Sequence, residues 1–319
     1  MGVHRRGRSS HPHRPRHRVP RGARTLKTLK LAHFTDIHVT HFPLSGALAF
    51  KRAAAVVSYS LFGRGKHFTK SDERIAKLLA DVDAQNVDHA LCTGDLTGVS
   101  TIDEFAKVAQ LFGSRLQQPE KYTVIPGNHD RYVRGVNNLF EMHFGTLSEG
   151  AKFPFVKHVG PLTIVAIDVT RPTNVIDSSG LCGPEQRARL LEILTDASLK
   201  NRFVVLAMHY GLLRAEGQRD KRSHGLRDDL EVMALIDRED VSLDLVLHGH
   251  MHRPYVVKTK RRFEINAGSA TDLHVKGLGY NVYDIDPSSH RVRIERRAWN
   301  GANYDADPHS PLNREIVTR

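Results

Sequence analysis

From residue 29 onward, apolar residues recur in two alternating rhythms. Short runs rich in Val, Ile, Leu and Thr lie at 29–35 (LKLAHFT), 88–93 (DHALCT), 122–126 (YTVIP), 162–168 (LTIVAID), 202–208 (RFVVLAM) and 243–248 (LDLVLH). Runs of this length and composition predict buried strands. Between them the apolar positions take helical spacing. The stretch 71–85 begins at Ser71, read as a cap, with a charged first turn. The stretch 101–112 has Thr101 with Glu104 three positions later, a capping box. The stretch 183–197 puts Pro184 at its first helical position, and 226–239 is amphipathic. After residue 253 the pattern changes: 254–260, 261–267, 280–286 and 290–299 read as consecutive antiparallel strands. Alternating strands and helices predict an α/β body with a β-rich C-terminal part. With no repeat or linker inside 29–300, one domain is expected at 28–300, between a tail at 1–27 and a C-terminal surface tail at 301–319.

Composition sharpens this in three places. The chain has 319 residues and is 40% hydrophobic, enough for a large core. Its net charge is +12, but residues 1–30 hold eight Arg and two Lys without an acid, so +10 lies there and about +2 in the rest. That tail has too few apolar residues to bury a core and is expected to be disordered and solvated. It lacks the apolar segment of a secretory signal. Its charge would suit nucleic acid or an anionic surface. Two cysteines, Cys92 and Cys182, exclude a disulfide framework and a thiolate metal cluster, and Cys92 reads as a buried strand residue. The longest apolar stretch, 47–62, is broken by Lys51 and Arg52 and is too short to cross a bilayer. It is expected to pack on the domain of a cytoplasmic protein, with a membrane-peripheral position as the alternative.

The chemistry lies at the strand ends. Asp36 and His38 follow the first run, Asp95 the second, and Asn128, His129 and Asp130 the third. His209 follows the run at 202–208, and His250 and His252 follow the run at 243–248. Ligands of α/β sheets bind beyond the carboxyl ends of strands, and a glycine beside most of these endings lets the backbone turn sharply. Asp36, His38, Asp95, Asn128, His209, His250 and His252 form a sulfur-free set of seven donors. Oxygen and imidazole donors suit Mn, Fe or Zn. Seven are too many for one tetrahedral zinc. They suit two divalent ions, about 3.5–4 Å apart, that clamp a phosphoryl oxygen and generate a bridging hydroxide.

The series DIH, GD, GNHD, H and GHMH, from residue 36 to 252, resembles the calcineurin-like metallophosphoesterase superfamily, with a layout similar to class III cyclic-nucleotide phosphodiesterases. The resemblance implies a four-layer α/β/β/α sandwich with two mixed β-sheets. It implies Asp36, His38 and His252 on the first metal, Asn128, His209 and His250 on the second, and Asp95 bridging. It implies that His129 sits over the substrate, steadying phosphoryl oxygens or protonating the leaving alkoxide, with Asp130 orienting it. One position departs from the pattern: Gly98 stands where the family often has Asp or Asn.

The substrate has to be read from the walls. His224 and Arg131 are candidate substrate contacts, and Tyr132 follows the same turn as Arg131. His33, His89, His158 and His248 are expected to be structural, and Met251 is expected to point away from the metals. The leading expectation is a dinuclear-metal phosphodiesterase acting on a small phosphoester. The apolar segment 44–68 motivates an alternative, a UDP-2,3-diacylglucosamine pyrophosphohydrolase of lipid A synthesis. A non-catalytic scaffold with a nucleic-acid-binding arm is the third.

Overall fold

The computed structural model describes residues 27–40, 68, 70–132, 138–174 and 177–318, together with Gly2. Except for Gly2 and Phe68, the basic tail before residue 27 and the apolar segment 44–68 lie outside the described residues. In chain order the elements are β1 (Leu29–Phe34), α1 (Ser71–Ala84), β2 (His89–Cys92), α2 (Ile102–Phe112), β3 (Tyr122–Val124), α3 (Leu139–Phe144), β4 (Phe155–Val159), β5 (Leu162–Ala166), α4 (Pro184–Leu194), β6 (Phe203–Ala207), α5 (Asp229–Ile236), β7 (Leu245–His248), β8 (Tyr255–Lys258), β9 (Phe263–Asn266), β10 (Gly279–Asp286), β11 (Arg291–Trp299), β12 (Tyr304–Ala306) and β13 (Arg314–Val317).

Two mixed sheets result. One runs β12-β11-β10-β1-β2-β3, with β13 also on β11; the other runs β4-β5-β6-β7-β9-β8. Side-chain alternation sorts each strand between two layers. In β6, Phe203, Val205 and Ala207 meet the other sheet, where Leu31, Leu91 and Tyr283 await them. Val204 and Leu206 face Leu190 and Leu194 of α4 and Val232 of α5. On the far side, Ala32 and Phe34 of β1 pack against Ile75, Leu78 and Leu79 of α1 and Phe105 and Phe112 of α2. This is the α/β/β/α sandwich. Burial on both faces explains why the central strands read as almost unbroken apolar runs.

Several local expectations hold. Thr101 and Glu104 form the capping box of α2, and Pro184 opens α4. His33 bonds Tyr283 Oη and Thr93 Oγ1, and His89 bonds Glu120 O and Thr123 Oγ1, so both are structural. Cys92 is buried in β2, and burial pushes its thiol up. Others change. Ser71 does not cap α1: Lys70 occupies the cap in the left-handed region (φ 57°), with no side-chain cap bond, and Ser71 lies inside the first turn. The four C-terminal runs are two separate hairpins. β8–β9 joins the second sheet with β9 parallel to β7, and β10–β11 joins the first beside β1. Residues 301–319, expected as a surface tail, carry β12 and β13, both antiparallel to β11. They escape notice because they are short and bury little beyond Tyr304, Leu312 and Ile316.

Candidate metal centre

Strands from both sheets end at one cleft. Asp36 and His38 follow β1, Asp95 follows β2, Asn128 follows β3, His209 follows β6, and His250 and His252 follow β7. The turns are tied to one another: Asp36 N donates to Gly94 O (2.9 Å), His38 N to Asp95 O (3.0 Å) and Gly249 N to His209 O (3.0 Å). Five donors hold left-handed backbone, Asp36 (φ 53°), His38 (39°), Asp95 (55°), His250 (70°) and His252 (53°). Two glycines allow the approach. A Cβ on Gly127 would stand 2.1 Å from Asp95 Oδ1, and one on Gly249 would stand 2.5 Å from Asp36 Oδ2.

The donor atoms separate into two sets around Asp95. Asp95 Oδ2 lies 3.5 Å from His38 Nε2, which is 2.9 Å from His252 Nε2; Asp36 Oδ1 lies 3.3 Å from that same His252 nitrogen. These four residues offer ligand atoms all within 4.8 Å of one another. Asp95 Oδ1 turns to the other set, 3.4 Å from His209 Nε2. Asn128 Oδ1 lies 3.0 Å from His209 Nε2 and 2.9 Å from His250 Nδ1.

Each histidine presents a chosen nitrogen. His209 Nδ1 donates to Thr93 O (2.7 Å), His38 Nδ1 to Thr97 O (3.2 Å) and His252 Nδ1 to Asp272 Oδ2 (3.0 Å). His250 is reversed: Nε2 donates to His224 O (3.0 Å), leaving Nδ1 inward. An acceptor on the far nitrogen fixes the tautomer and aims the other lone pair at a metal. Asp36 Oδ1 is buried without a hydrogen bond. Four inward imidazole nitrogens, a carboxylate shared between sets and an orphaned carboxylate oxygen fit two divalent cations better than a hydrogen-bonded core.

Electrostatics agree. Burial drives His38 down to about 3 and His250 well below its ordinary value, so both are neutral near pH 7. Burial opposes charge on His209 and His252 as well. There, however, Asp95 lifts His209 to about 9, and Asp36 with Asp272 lifts His252 to about 10. Burial also opposes charge on the carboxylates, yet His252 draws Asp36 down to about 2 and His209 holds Asp95 well below the usual range.

A cavity of about 650 Å³ opens over the centre. His129 lines it, edge-on to His38 and stacked on Tyr132 at 5.2 Å. Its Nδ1 donates to Gly98 O (2.6 Å), and its backbone N donates to Asp95 Oδ1 (2.8 Å). The Gly98 carbonyl therefore orients His129 at the position where the motif departs from its usual form. Asp130 does not orient the ring: its carboxylate accepts from Leu96 N, Thr97 N, Thr97 Oγ1 and Gly127 N and holds the turn. Arg131 is also a correction. It is absent from the cavity lining, bonded to Glu141 and 3.6 Å from Asp168. His224 does line the cavity, 4.3 Å from the His250 ring, with Nδ1 donating to Asp220 Oδ2 (2.5 Å). Met251 lines the cavity too, because His250 and His252 are left-handed and the segment is not extended. His248 is structural, its Nδ1 beside Asn266 Nδ2 (3.1 Å) and its Nε2 3.2 Å from Glu264. Asp272 and the carbonyls of Thr93, Thr97 and Gly98 were not among the expected residues. The carbonyls leave no trace in side-chain identity, and Asp272 lies 20 residues beyond the histidine it holds.

Comparison with known proteins points the same way. The chain is similar in structure to a dimetal phosphatase from Danio rerio (TM-score 0.60, 11% identity, covering 88% of this chain and 99% of that one). It is also similar to a purple acid phosphatase from yellow lupin seeds (TM-score 0.52, 14% identity, 88% of this chain), of which it spans 53%. At these identities the likeness concerns the fold. A search of curated protein sequences found no match. The sequence pattern of the calcineurin-like phosphoesterases matches residues 29–254, and the chain belongs to that family.

Proposed function

We propose that the protein is a dinuclear-metal-dependent phosphoesterase that hydrolyses a phosphodiester, with cyclic nucleotides as the first substrates to test. The observation that carries this is Asp95, whose two carboxylate oxygens turn to two different sets of inward donors. Asp36, His38 and His252 would hold one ion, Asn128, His209 and His250 the other, and Asp95 both. When bound, two such ions supply Lewis acidity toward phosphoryl oxygens and activate water at neutral pH.

The protein's own groups do the rest. Neutral His38 and His250 and ionised Asp36 and Asp95 are in the protonation states that metal ligands require. His129 serves the leaving group. Its Nδ1 is committed to Gly98 O, so Nε2 is the nitrogen that gains or gives a proton. Burial, with the nearby His252 and His209, holds His129 below its ordinary value against Asp95 and the Gly98 carbonyl, so protonation for the leaving group calls for an anionic substrate beside it. A diester needs such a donor because its leaving alkoxide is a strong base. The cavity has the volume of a nucleotide-sized site, with Tyr132 and Phe68 on its walls.

The test is hydrolysis of bis(p-nitrophenyl) phosphate, cyclic nucleotides and phosphomonoesters with Mn, Fe, Zn and Ni, alongside metal analysis. Asn128→Ala should abolish turnover of every ester, and His129→Ala should lower turnover of cyclic nucleotides, whose alkoxide needs a proton, by about 10²–10⁴-fold and that of bis(p-nitrophenyl) phosphate, whose nitrophenolate does not, far less. Full activity of both variants toward cyclic nucleotides refutes the mechanism; a protein retaining fewer than two ions favours the scaffold reading. Phe68, the one described residue of 44–68, lies 4.9 Å from the His38 ring at the cavity wall, which keeps the lipid-nucleotide substrate in view. Failure to turn over that substrate and to bind anionic liposomes removes it.

A further inference from the structure

One wall of the cavity lies outside the donor set and carries charge of its own. It is built from the segments before α4 and before α5, which are laced together. Ser178 N donates to Ser223 O (2.9 Å), Gly180 N to Gly225 O (3.2 Å) and Arg227 N to Gly180 O (3.0 Å). This wall leans directly on the centre, because the His224 carbonyl receives His250 Nε2 at 3.0 Å. Its distance from the metal ligands is therefore set by hard contacts.

The charges on this wall do not cancel. Asp177 is matched by Arg171 (3.4 Å) and Arg227 (2.7 Å). Asp220 is matched by Arg214 (3.2 Å) and His224 (2.5 Å). Lys221 lines the cavity and forms no ion pair with a carboxylate among the described residues. Its backbone is pinned: Lys221 N donates to Asp220 Oδ1 (2.7 Å), and Lys221 O accepts from His224 N (2.9 Å) and Gly225 N (2.8 Å). A cation on an anchored turn, facing a cavity and left over after both wall carboxylates are matched, is arranged to meet an anion from solution. The reacting phosphoryl group does not answer to it, since that group belongs to the donor set on the floor.

We propose that Lys221 binds a second phosphate of the substrate, so that the substrate class is a phosphoester bearing a further phosphate group. This rests on the phosphoesterase reading and shifts its substrate from simple cyclic nucleotides, which carry one phosphate, to diesters that carry a second. Lys221 is a specificity-determining residue that touches a remote part of the substrate and leaves the chemistry to the floor.

The metal-loaded protein is assayed with thymidine 5′-(p-nitrophenyl phosphate) with and without a 3′-phosphate, so that the leaving group is the same. The native protein should prefer the 3′-phosphorylated ester by roughly tenfold in kcat/KM, expressed in KM, as one charged hydrogen bond warrants. Lys221→Met should erase that preference and leave the plain ester unchanged. Arg222→Met removes the same charge from the next residue, which is exposed and absent from the cavity lining, and should keep the preference. Equal turnover of both esters by the native protein, or equal losses in the two variants, overturns the subsite. If no metal supports hydrolysis of either ester, the phosphoesterase reading has failed. Calorimetry with thymidine 3′,5′-bisphosphate and thymidine 5′-phosphate then decides the subsite alone: a preference lost in Lys221→Met sustains it, and no preference overturns it.

Discussion

Metal loading should release protons in a number that the site dictates. Of the seven donors, Asp36 and Asp95 are already ionised and His38 and His250 already neutral near pH 7. His209 and His252 are not. Without metal, Asp95 lifts the first to about 9 and Asp36 lifts the second to about 10, so each must lose its proton before its nitrogen can bind a metal. His252 belongs to one set and His209 to the other, which gives one ligand proton per ion, in addition to the proton lost where bound water becomes hydroxide. The cost at pH 7 is about 1.4 kcal/mol for each pH unit between 7 and the pKa. That is about 3 kcal/mol for His209 and about 4 kcal/mol for His252. Both imidazoliums persist below their pKa, so apparent affinity is lowest in acid. It should rise about tenfold per pH unit for each ion until pH approaches 9 or 10. Isothermal titration of the chelated protein at pH 7, in buffers of different ionisation enthalpy, counts the protons directly. Heats that do not depend on the buffer, or affinities flat from pH 6 to 8, would refute this account of the site.

Three further outcomes follow from named contacts. Asp272→Asn removes the charged acceptor from His252 Nδ1 and should weaken one ion's binding by about 10–100-fold, read as metal retained after dialysis; unchanged retention argues against it. Gly249→Ala would bring a Cβ within 2.0 Å of Thr35 Oγ1 and 2.5 Å of Asp36 Oδ2, and should empty the Asp36 set while the far-ultraviolet spectrum persists. Glu264 is fully buried, which raises its carboxyl to about 7 in the fold. The native state therefore favours its neutral form, and its contribution to stability is lost as pH climbs from the ordinary value through 7. Glu264→Gln should match the native protein near pH 4 and exceed it by up to about 3 kcal/mol near pH 8 in urea unfolding, and a difference that does not grow with pH contradicts this.

The strand-end donors were legible because their positions obey a topological rule. Parallel strands of both sheets deliver their carboxyl ends to one cleft, and polar residues there stand out after apolar runs. What surrounds the donors was not legible. The groups that fix the imidazoles are mostly backbone carbonyls, which every residue owns. The orienting role of Asp130 came with the resemblance and does not hold in this turn, and Arg131 was misread because adjacency in sequence was taken for adjacency in space. Asp130 turns back to the amides of Leu96 and Thr97, and Arg131 turns out to Glu141. Met251 was misjudged because alternation assumes an extended backbone, and two left-handed residues flank it. The last strands were missed because edge strands need little apolar sequence to hold a place in an existing sheet.

The left-handed backbone at Asp36, His38, Asp95, His250 and His252 limits the substitutions open to this chain. Asp, Asn and His are the side chains, apart from glycine, that tolerate this region best, and they are also oxygen and nitrogen donors. Glutamate binds divalent ions as well as aspartate does. At Asp36 and Asp95 it would add a methylene where the turn leaves little slack, and it lacks the short side chain that eases the conformation. Glycine would relieve the backbone and delete the donor. Relief of such strain is one route to stability, and here it is closed off because the same side chains are the donors.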